Sequence, residues 1–228
     1  MSICSNHHEI EEILKKKRLF IFDFDGVIVD SNSIKGHMFA KLYEPYGERI
    51  KNEVHKHHLS NSGISRFEKI AYYHKFFLNK DLTVKEFDLV CEQFSSLVIN
   101  KVVASNEIPG ANKFIQNYFN KGKLFFINSA TPTEELKKII VKRGINSFFS
   151  GVYGSPMSKV DNLTMILKQA SIDAKHCIFF GDAPTDFNAA QILPMDFIGI
   201  GKNMISFLEK KEGHWLAVEN FQALNNGA

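Results

Sequence analysis

Short apolar runs alternate with helical patterns along most of this chain. Strands are predicted at Leu19–Phe24, Leu124–Asn128, Val152–Tyr153, Cys177–Phe180, Phe197–Ile200 and Leu216–Val218. Helices are predicted over residues 8–17, 111–120, 132–144, 159–170 and 184–192, from apolar spacing near 3.6 and from Pro and Gly at their ends. Strands that alternate with helices indicate a parallel sheet covered by helices. The predicted fold class is therefore α/β, with a parallel sheet flanked by helices.

The segment from about residue 31 to residue 105 has helical spacing throughout and no strand pattern. Within it, Thr83 is a predicted N-cap, and Glu86 completes a capping box. Because the first strand precedes this segment and the other strands follow it, we interpret residues 31–105 as an inserted helical cap domain. Residues 1–30 and 106–228 then form the core domain. The predicted hinges are the turn near Asp30 and the break at Ile108–Gly110.

The composition indicates a globular protein and argues against nucleic acid-binding, membrane-spanning and secreted proteins. The chain has 228 residues, 44% of them hydrophobic and 23% charged, which is ordinary for a globular protein that buries a substantial core. Its net charge of +3 is too small to indicate nucleic acid binding. No apolar run is long enough to span a membrane, and residues 1–17 lack the pattern of a signal peptide. Cys4, Cys91 and Cys177 suggest neither a disulfide framework nor a zinc site, so a cytoplasmic protein is predicted.

Two aspartates mark the end of the first strand. Asp23 and Asp25 are two positions apart, so their side chains share a face at the edge where parallel α/β sheets bind ligands. Gly26 follows and allows a sharp turn. A calcium loop would require further oxygen ligands, whereas the apolar run Val27–Val29 comes next. Two close carboxylates repel unless a cation or proton lies between them, which suits a metal-assisted nucleophile beside a general acid/base.

A serine, a lysine and two aspartates follow later strands of the predicted sheet. Ser129 ends a strand just before a helix that begins near Pro132, which is typical of an anion site but also of an ordinary N-cap. Lys159 stands near a helix start, where the macrodipole disfavours a cation unless an anion faces it. Asp182 and Asp186 follow the Cys177–Phe180 strand, and Asp182 would complete an oxygen cage for Mg²⁺ with Asp23 and Asp25.

The ordered set of four motifs resembles the haloacid dehalogenase-like superfamily, in its phosphatase branch with a helical cap. The run DFDGVIVD matches the first motif, Ser129 the second, Lys159 the third and GDAPTD the fourth, and the resemblance covers Leu19 to about Ile200. It implies a Rossmann-like core and a Mg²⁺-dependent phosphatase. Two departures are Val27, where Thr is commoner, and Asn128, a polar residue at a strand end that is often apolar.

The resemblance also implies a role for each matching residue. Asp23 is expected to be the nucleophile that forms an aspartyl-phosphate, and Asp25 the general acid and base. Mg²⁺ is expected on Asp23, Asp182 and the backbone carbonyl of Asp25, with Asp186 supporting the site from outside the ligand set. The residues expected to hold the phosphoryl oxygens are Ser129, Ala130 and Lys159. The dehalogenases lack the second carboxylate, so Asp25 favours phosphoester chemistry.

Three functions remain open at this point. The first is a phosphatase acting on a small phosphorylated metabolite, either a sugar phosphate or a phosphoglycolate-like compound. The second is a phosphosugar mutase of the β-phosphoglucomutase type, and the third is a non-catalytic binding domain on the same scaffold. Arg66 and Lys69 in the cap are candidate substrate contacts, although both would also suit a solvated helix surface. We expect a small phosphorylated partner, no nucleic acid, no membrane, and a monomer or homodimer.

Overall fold

A six-stranded parallel sheet forms the centre of residues 7–225, the part of the chain that this computed structural model describes. Its strands are β1 (Leu19–Phe22), β2 (Leu124–Pro132), β3 (Gly151–Ser155), β4 (Cys177–Gly181), β5 (Asp196–Ile200) and β6 (Leu216–Val218). They are arranged in the order β3-β2-β1-β4-β5-β6, and every neighbouring pair is parallel. The predicted α/β fold class with a parallel sheet is therefore confirmed.

Ten α-helices accompany the sheet in the described residues. They are α1 (His7–Lys16), α2 (Asn32–Tyr43), α3 (Glu48–Ser60), α4 (Arg66–Tyr72), α5 (Val84–Val103), α6 (Ala111–Asn120), α7 (Thr133–Lys142), α8 (Lys159–Ala170), α9 (Pro184–Ile192) and α10 (Lys202–Leu208). The predicted bounds of α6, α8 and α9 are matched residue for residue, because Gly, Ser and Pro mark their starts. None of the helices within residues 7–225 is long and apolar enough to cross a membrane.

Phenylalanine side chains fill the core on one face of the central strand. All four residues of β1 are fully buried, since β2 and β4 pair with it on both sides. The Phe22 and Phe180 rings stack with centroids 4.8 Å apart, and Phe114 of α6 lies 6.1 Å from Phe20. Such rings each bury a large apolar area, so they hold the carboxyl ends of β1 and β4 in a fixed position.

Helices α2 to α5 all lie between β1 and β2 in the sequence and form the inserted helical cap. Phe39 of α2 stacks on Phe94 of α5 at 3.9 Å, and both side chains are buried. The predicted capping box at the start of α5 is confirmed, because Glu86 N donates to Thr83 Oγ1 and Thr83 N donates to Glu86. The division into a cap of residues 31–105 and a core made of the rest stays a prediction.

The two chain segments that join cap and core lie side by side. Asp30 N donates to the Asn106 carbonyl at 2.9 Å, and Val29 forms an antiparallel bridge with Glu107. Ile108 N also donates to the Ile28 carbonyl, at 3.0 Å. Both predicted hinges therefore fall next to one short paired segment, and a cap that rotates about this segment would keep its connections intact.

Candidate active site

The residues predicted to carry chemistry lie together at the carboxyl edge of the sheet. Asp23 follows β1, Ser129 lies near the end of β2, and Asp182 follows β4, so parallel strands bring all three to one edge. They line a cavity of about 30 Å³ whose opposite wall is formed by cap residues, among them Arg66 and Lys69. Ser129 and Ala130 also line an adjoining cavity of about 310 Å³, which Lys159 borders.

Asp23 is buried and held by a lysine. Its Oδ2 atom lies 2.7 Å from Lys159 Nζ, while Oδ1 accepts from Phe24 N at 2.5 Å. Lys159 is the first residue of α8 and also donates to Asp186. Burial alone would lower the pKa of Lys159, but the carboxylates of Asp186 and Asp23 outweigh it and raise that pKa. Lys159 therefore stays protonated, and a cation faces the predicted nucleophile.

Asp25 receives three hydrogen bonds from side chains. Ser31 Oγ and Lys35 Nζ each lie 2.5 Å from its carboxylate oxygens, and Thr131 Oγ1 lies 2.8 Å away. Burial acts to raise the pKa of Asp25, but the charge of Lys35 and these hydrogen bonds hold it below its usual value. Asp25 is thus an ionised acceptor in this state of the site.

Lys35 and Thr131 are site residues that the sequence interpretation missed. Lys35 also donates to Thr131 Oγ1 at 2.7 Å, so the two form a small network around the Asp25 carboxylate. One signal was available for Thr131, which stands two residues after Ser129 and presents a second hydroxyl from the same strand end. The only signal for Lys35 was its place in the first turn of a helix, where most lysines point into water.

Three carboxylates form an acidic cluster beside the nucleophile. Oxygen atoms of Asp23, Asp182 and Asp186 lie within 4.8 Å of one another. Burial, followed by repulsion from Asp23 and Asp186, raises the pKa of Asp182 well above its usual value. A hard oxygen-seeking cation such as Mg²⁺ would relieve this repulsion, so the donor set fits the predicted metal.

The loop around Gly26 leaves room for this cluster. Gly26 has φ +76°, and a Cβ atom there would come within 2.1 Å of Asp182 Oδ2. Asn32 Nδ2 donates to the same Asp182 oxygen at 2.7 Å. Both Asp186 oxygens already have protein donors, Lys159 Nζ on one and Ala183 N on the other. Asp186 is therefore better suited to orienting Lys159 than to binding a metal directly.

Asn128 connects the second and third motifs. Its Nδ2 atom donates to the Lys159 backbone carbonyl at 2.9 Å, and its Oδ1 atom accepts from Asn162 Nδ2 at 3.1 Å. The side chain is fully buried, so these bonds form without competition from water. Asn128 thereby ties the end of β2 to the first turn of α8. This explains the polar residue at a position that is often apolar.

Arg66 and Lys69 of α4 are both buried and both face the cavity. The Arg66 guanidinium forms a two-pronged ion pair with Glu135 of α7, in which NH1 lies 2.6 Å from Oε2. It also donates to Ser95 Oγ and lies over the Phe94 ring. Glu135 was not anticipated, because its partner is far away in the sequence.

Most of the chain matches a known protein family in sequence. The family model described as haloacid dehalogenase-like hydrolase matches residues 20–200. The chain belongs to this family. The match spans all four motifs, so the resemblance noted from the sequence is confirmed. No curated protein matches the chain in sequence.

Solved structures share the fold of this family member. A β-phosphoglucomutase from Clostridium difficile aligns with a TM-score of 0.72 at 20% identity, covering 93% of both chains. A predicted phosphoglycolate phosphatase from Haemophilus somnus 129pt aligns at 0.69 and 17%, covering 90% of this chain and 95% of the other. CbbY from Rhodobacter sphaeroides, in complex with phosphate, aligns at 0.71 and 14%, over the same fractions. At these identities the similarity shows the fold, a sheet core with an inserted cap.

The family's four motifs thus meet around one cavity in this chain. Asp23, Asp25, Asp182, Ser129 and Ala130 line it directly. Lys159 reaches it through its ion pair with Asp23.

Proposed function

We propose that this chain is a Mg²⁺-dependent phosphatase that hydrolyses a small phosphorylated metabolite through an aspartyl-phosphate. The substrate would be a sugar phosphate or a phosphoglycolate-like compound. The observation that carries the proposal is that two carboxylates at one cavity have different hydrogen-bond partners. Asp23 is held by the protonated Lys159, whereas Asp25 is held by Lys35 and two hydroxyls. One carboxylate can attack while the other moves a proton.

In the first half of the proposed reaction, an Asp23 oxygen attacks phosphorus and the bond to the leaving oxygen breaks. Ser129 Oγ, Ala130 N and Lys159 Nζ would bind the phosphoryl oxygens. Asp23, Asp182 and the Asp25 carbonyl would hold Mg²⁺, which supplies positive charge against the repulsion between nucleophile and phosphoryl group. Asp25 gives a proton to the leaving oxygen, and in the second half takes one from the attacking water. Inorganic phosphate then leaves and Asp23 is regenerated.

Asp25 must bind a proton before it can act as an acid. In the structure Lys35 and the two hydroxyls keep its pKa low. A phosphoryl group beside Asp25 brings negative charge, which raises the pKa of that carboxyl. Protonation of Asp25 would therefore accompany substrate binding, and the resting site would hold Asp25 ready as a base.

Asp25→Asn is expected to slow both halves of the reaction by roughly 10²- to 10⁴-fold, because an amide neither donates the proton nor activates water. The loss in the first half should be larger for an alkyl phosphate than for p-nitrophenyl phosphate, whose leaving group needs no proton. Rapid-quench kinetics on both esters would measure this difference. Asp173→Asn, at an exposed position outside the motifs and the hinges, is the matched control. Equal losses on both esters, or fast hydrolysis by the variant, would contradict the acid/base role.

The direct test of the function is phosphate release from p-nitrophenyl phosphate with Mg²⁺, followed by a panel of phosphorylated metabolites. Steady turnover supports the phosphatase and excludes the non-catalytic binding domain. No release from any ester, by a chain that is folded and loaded with Mg²⁺, would overturn the proposal.

A phosphosugar mutase is the second candidate, and the burial of Asp23 favours it. A mutase must keep its aspartyl-phosphate away from water, and Asp23 is only 3% exposed beneath the cap. The discriminating assay follows hexose 1-phosphate conversion to hexose 6-phosphate with a trace of the bisphosphate. Conversion that outpaces phosphate release identifies a mutase, whereas rapid phosphate release from several esters identifies a phosphatase.

Arg66 remains a proposed substrate contact in the cap. Its positive charge is balanced by Glu135, so its remaining N–H donors suit neutral sugar oxygens. Arg66→Ala is expected to reduce kcat/KM about tenfold or more for the best metabolite, but much less for p-nitrophenyl phosphate, which offers the cap little to bind. Steady-state kinetics on the two substrates would measure the difference.

Glu135→Gln is the control that separates this role from a structural one. It breaks the ion pair that joins α4 to α7 but leaves the Arg66 side chain in place. If the two variants lost activity equally on both substrates, and melted at similarly lowered temperatures, Arg66 would fasten the cap to the core rather than contact substrate.

A further inference from the structure

Three buried cations form the cap wall of the cavity, and two of them have a carboxylate partner. Lys35 is paired with Asp25, and Arg66 is paired with Glu135. Lys69 is only 2% exposed, yet within residues 7–225 no carboxylate lies within 4.0 Å of its ammonium group. The chain therefore buries one amine in this cavity without a protein carboxylate to balance its charge when it is protonated.

A neutral histidine holds Lys69 in place. Lys69 Nζ lies 3.1 Å from His58 Nδ1. Burial, with the neighbouring Lys69 and Lys35 charges, lowers the pKa of His58 to about 2, so its ring is uncharged and Nδ1 accepts a hydrogen bond. An ammonium group has three donors. In the described part of the chain His58 uses one of them, which leaves two N–H groups of Lys69 without a protein acceptor.

This arrangement is unfavourable while the cavity holds no anion. Burying an ammonium group without an anionic partner costs solvation free energy. Burial, followed by repulsion from Lys35, accordingly lowers the pKa of Lys69 to about 7, although Asp25 partly offsets the effect. An anion placed against the two free N–H groups would remove this cost. The site is built for a ligand that brings negative charge to the cap side.

The position of Lys69 matches the leaving group of the proposed substrate rather than its phosphoryl group. The phosphoryl oxygens would lie between Asp23, Ser129 and Lys159, on the core side. The leaving oxygen must face Asp25, which gives it a proton, and Lys69 lines the same cavity as Asp25. The part of the substrate beyond the leaving oxygen would therefore extend toward Lys69.

We propose that Lys69, held by His58, binds a carboxylate of the substrate, so that the natural substrate is a small phosphate ester of a hydroxy acid. The proposal rests on the phosphatase function stated above. A carboxylate fits better than a second phosphate, because one ammonium group with two free donors balances one negative charge.

The test uses pairs of phosphate esters in which one member has a carboxylate where the other has a hydroxymethyl group. Suitable pairs are phosphoglycolate with 2-hydroxyethyl phosphate, 3-phosphoglycerate with glycerol 3-phosphate, and 6-phosphogluconate with glucitol 6-phosphate. The wild type is expected to show a kcat/KM on the order of 10- to 1,000-fold higher for the acid member of at least one pair. Lys69→Met should bring that ratio close to one, and Lys69→Arg should restore part of it. Lys75→Met, an exposed lysine beyond the end of α4, should leave the ratio unchanged.

Several results would overturn the proposal. One is an equal kcat/KM for both members of every pair, and another is a preference for the acid that survives in Lys69→Met. The third is a kcat/KM ratio of fructose 1,6-bisphosphate to fructose 6-phosphate that exceeds the acid-to-alcohol ratio of every pair. Calorimetric titration of the metal-free wild type with the same pairs provides a readout that does not depend on turnover. If no ester at all is hydrolysed, the phosphatase function fails. Tighter binding of an acid that is lost in Lys69→Met would then still support the anion site, and equal binding would exclude it.

Discussion

Asp23→Asn is expected to abolish turnover, lowering kcat by on the order of 10⁴- to 10⁶-fold. The amide has the shape of the carboxylate but is a poor nucleophile, so no aspartyl-phosphate can form. The fold should survive, because Lys159 keeps its second partner, Asp186, and the change removes one charge from a cluster of three carboxylates. Phosphate release and thermal melting, measured on the same preparation, would test both statements.

The covalent intermediate offers an independent check on Asp23. Mass spectrometry of peptides from acid-quenched enzyme should find a phosphorylated peptide that contains Asp23 in the wild type and not in the variant. Asp173→Asn, at an exposed position, is the matched control and should behave as wild type. Near-normal phosphate release by folded Asp23→Asn would contradict the mechanism.

Removing divalent metal with EDTA is expected to eliminate activity, and added Mg²⁺ should restore it. Without a cation, the Asp182 carboxyl is buried against Asp23 and Asp186 and cannot ionise without a large cost. Asp182→Ala should weaken Mg²⁺ binding by on the order of 100-fold. The increase in melting temperature on titration with Mg²⁺, compared between wild type and variant, would measure this loss. Full activity in a chelated sample would exclude the metal role.

The same acidic cluster predicts how the stability of the metal-free chain depends on pH. In the folded state the pKa of Asp182 lies above its usual value of 3.8. Between the unfolded and the folded pKa, the folded state therefore binds more protons than the unfolded state. The contribution of Asp182 to the free energy of unfolding should therefore fall as the pH rises from about 4 toward neutrality, opposite to that of His58, whose pKa is lowered. Relative to Asp182→Ala and to wild type saturated with Mg²⁺, the metal-free wild type should lose stability as the pH rises. Urea unfolding at a series of pH values, with and without Mg²⁺, would measure it, and identical profiles would count against the raised pKa.

Much of the fold could be predicted because its signals are local. The alternation of apolar strands with amphipathic helices sets the parallel sheet, and three helices begin and end where the Gly, Ser and Pro signals indicate. Strand ends were less accurate, and those of β1, β2 and β3 differ by two residues or more. β1 ends at Phe22 rather than Phe24, although Asp23 N still bonds to the Phe180 carbonyl. β2 continues from Asn128 to Pro132 through a shift in its pairing with β3, and a shift between strands has no local signature.

The core side of the candidate site could also be predicted, since parallel strands place their carboxyl ends at one edge. That rule alone brings Asp23, Ser129 and Asp182 together, and the four motifs then indicated which polar residues to choose. Their chemical roles remain predictions that the variants above address.

The cap side was decided by the tertiary structure. Arg66 and Glu135 are 69 residues apart, and nothing in the sequence indicates that they form a pair. The packing of α5 against both α4 and α7 brings them together, and a contact between α3 and α4 within the cap pairs Lys69 with His58. Periodicity reports which face of a helix is apolar, but not which distant helix it meets or at what angle. The sequence by itself therefore determined the catalytic edge of the sheet. The docking of the cap decided which of its charges are balanced and which one is left for a ligand.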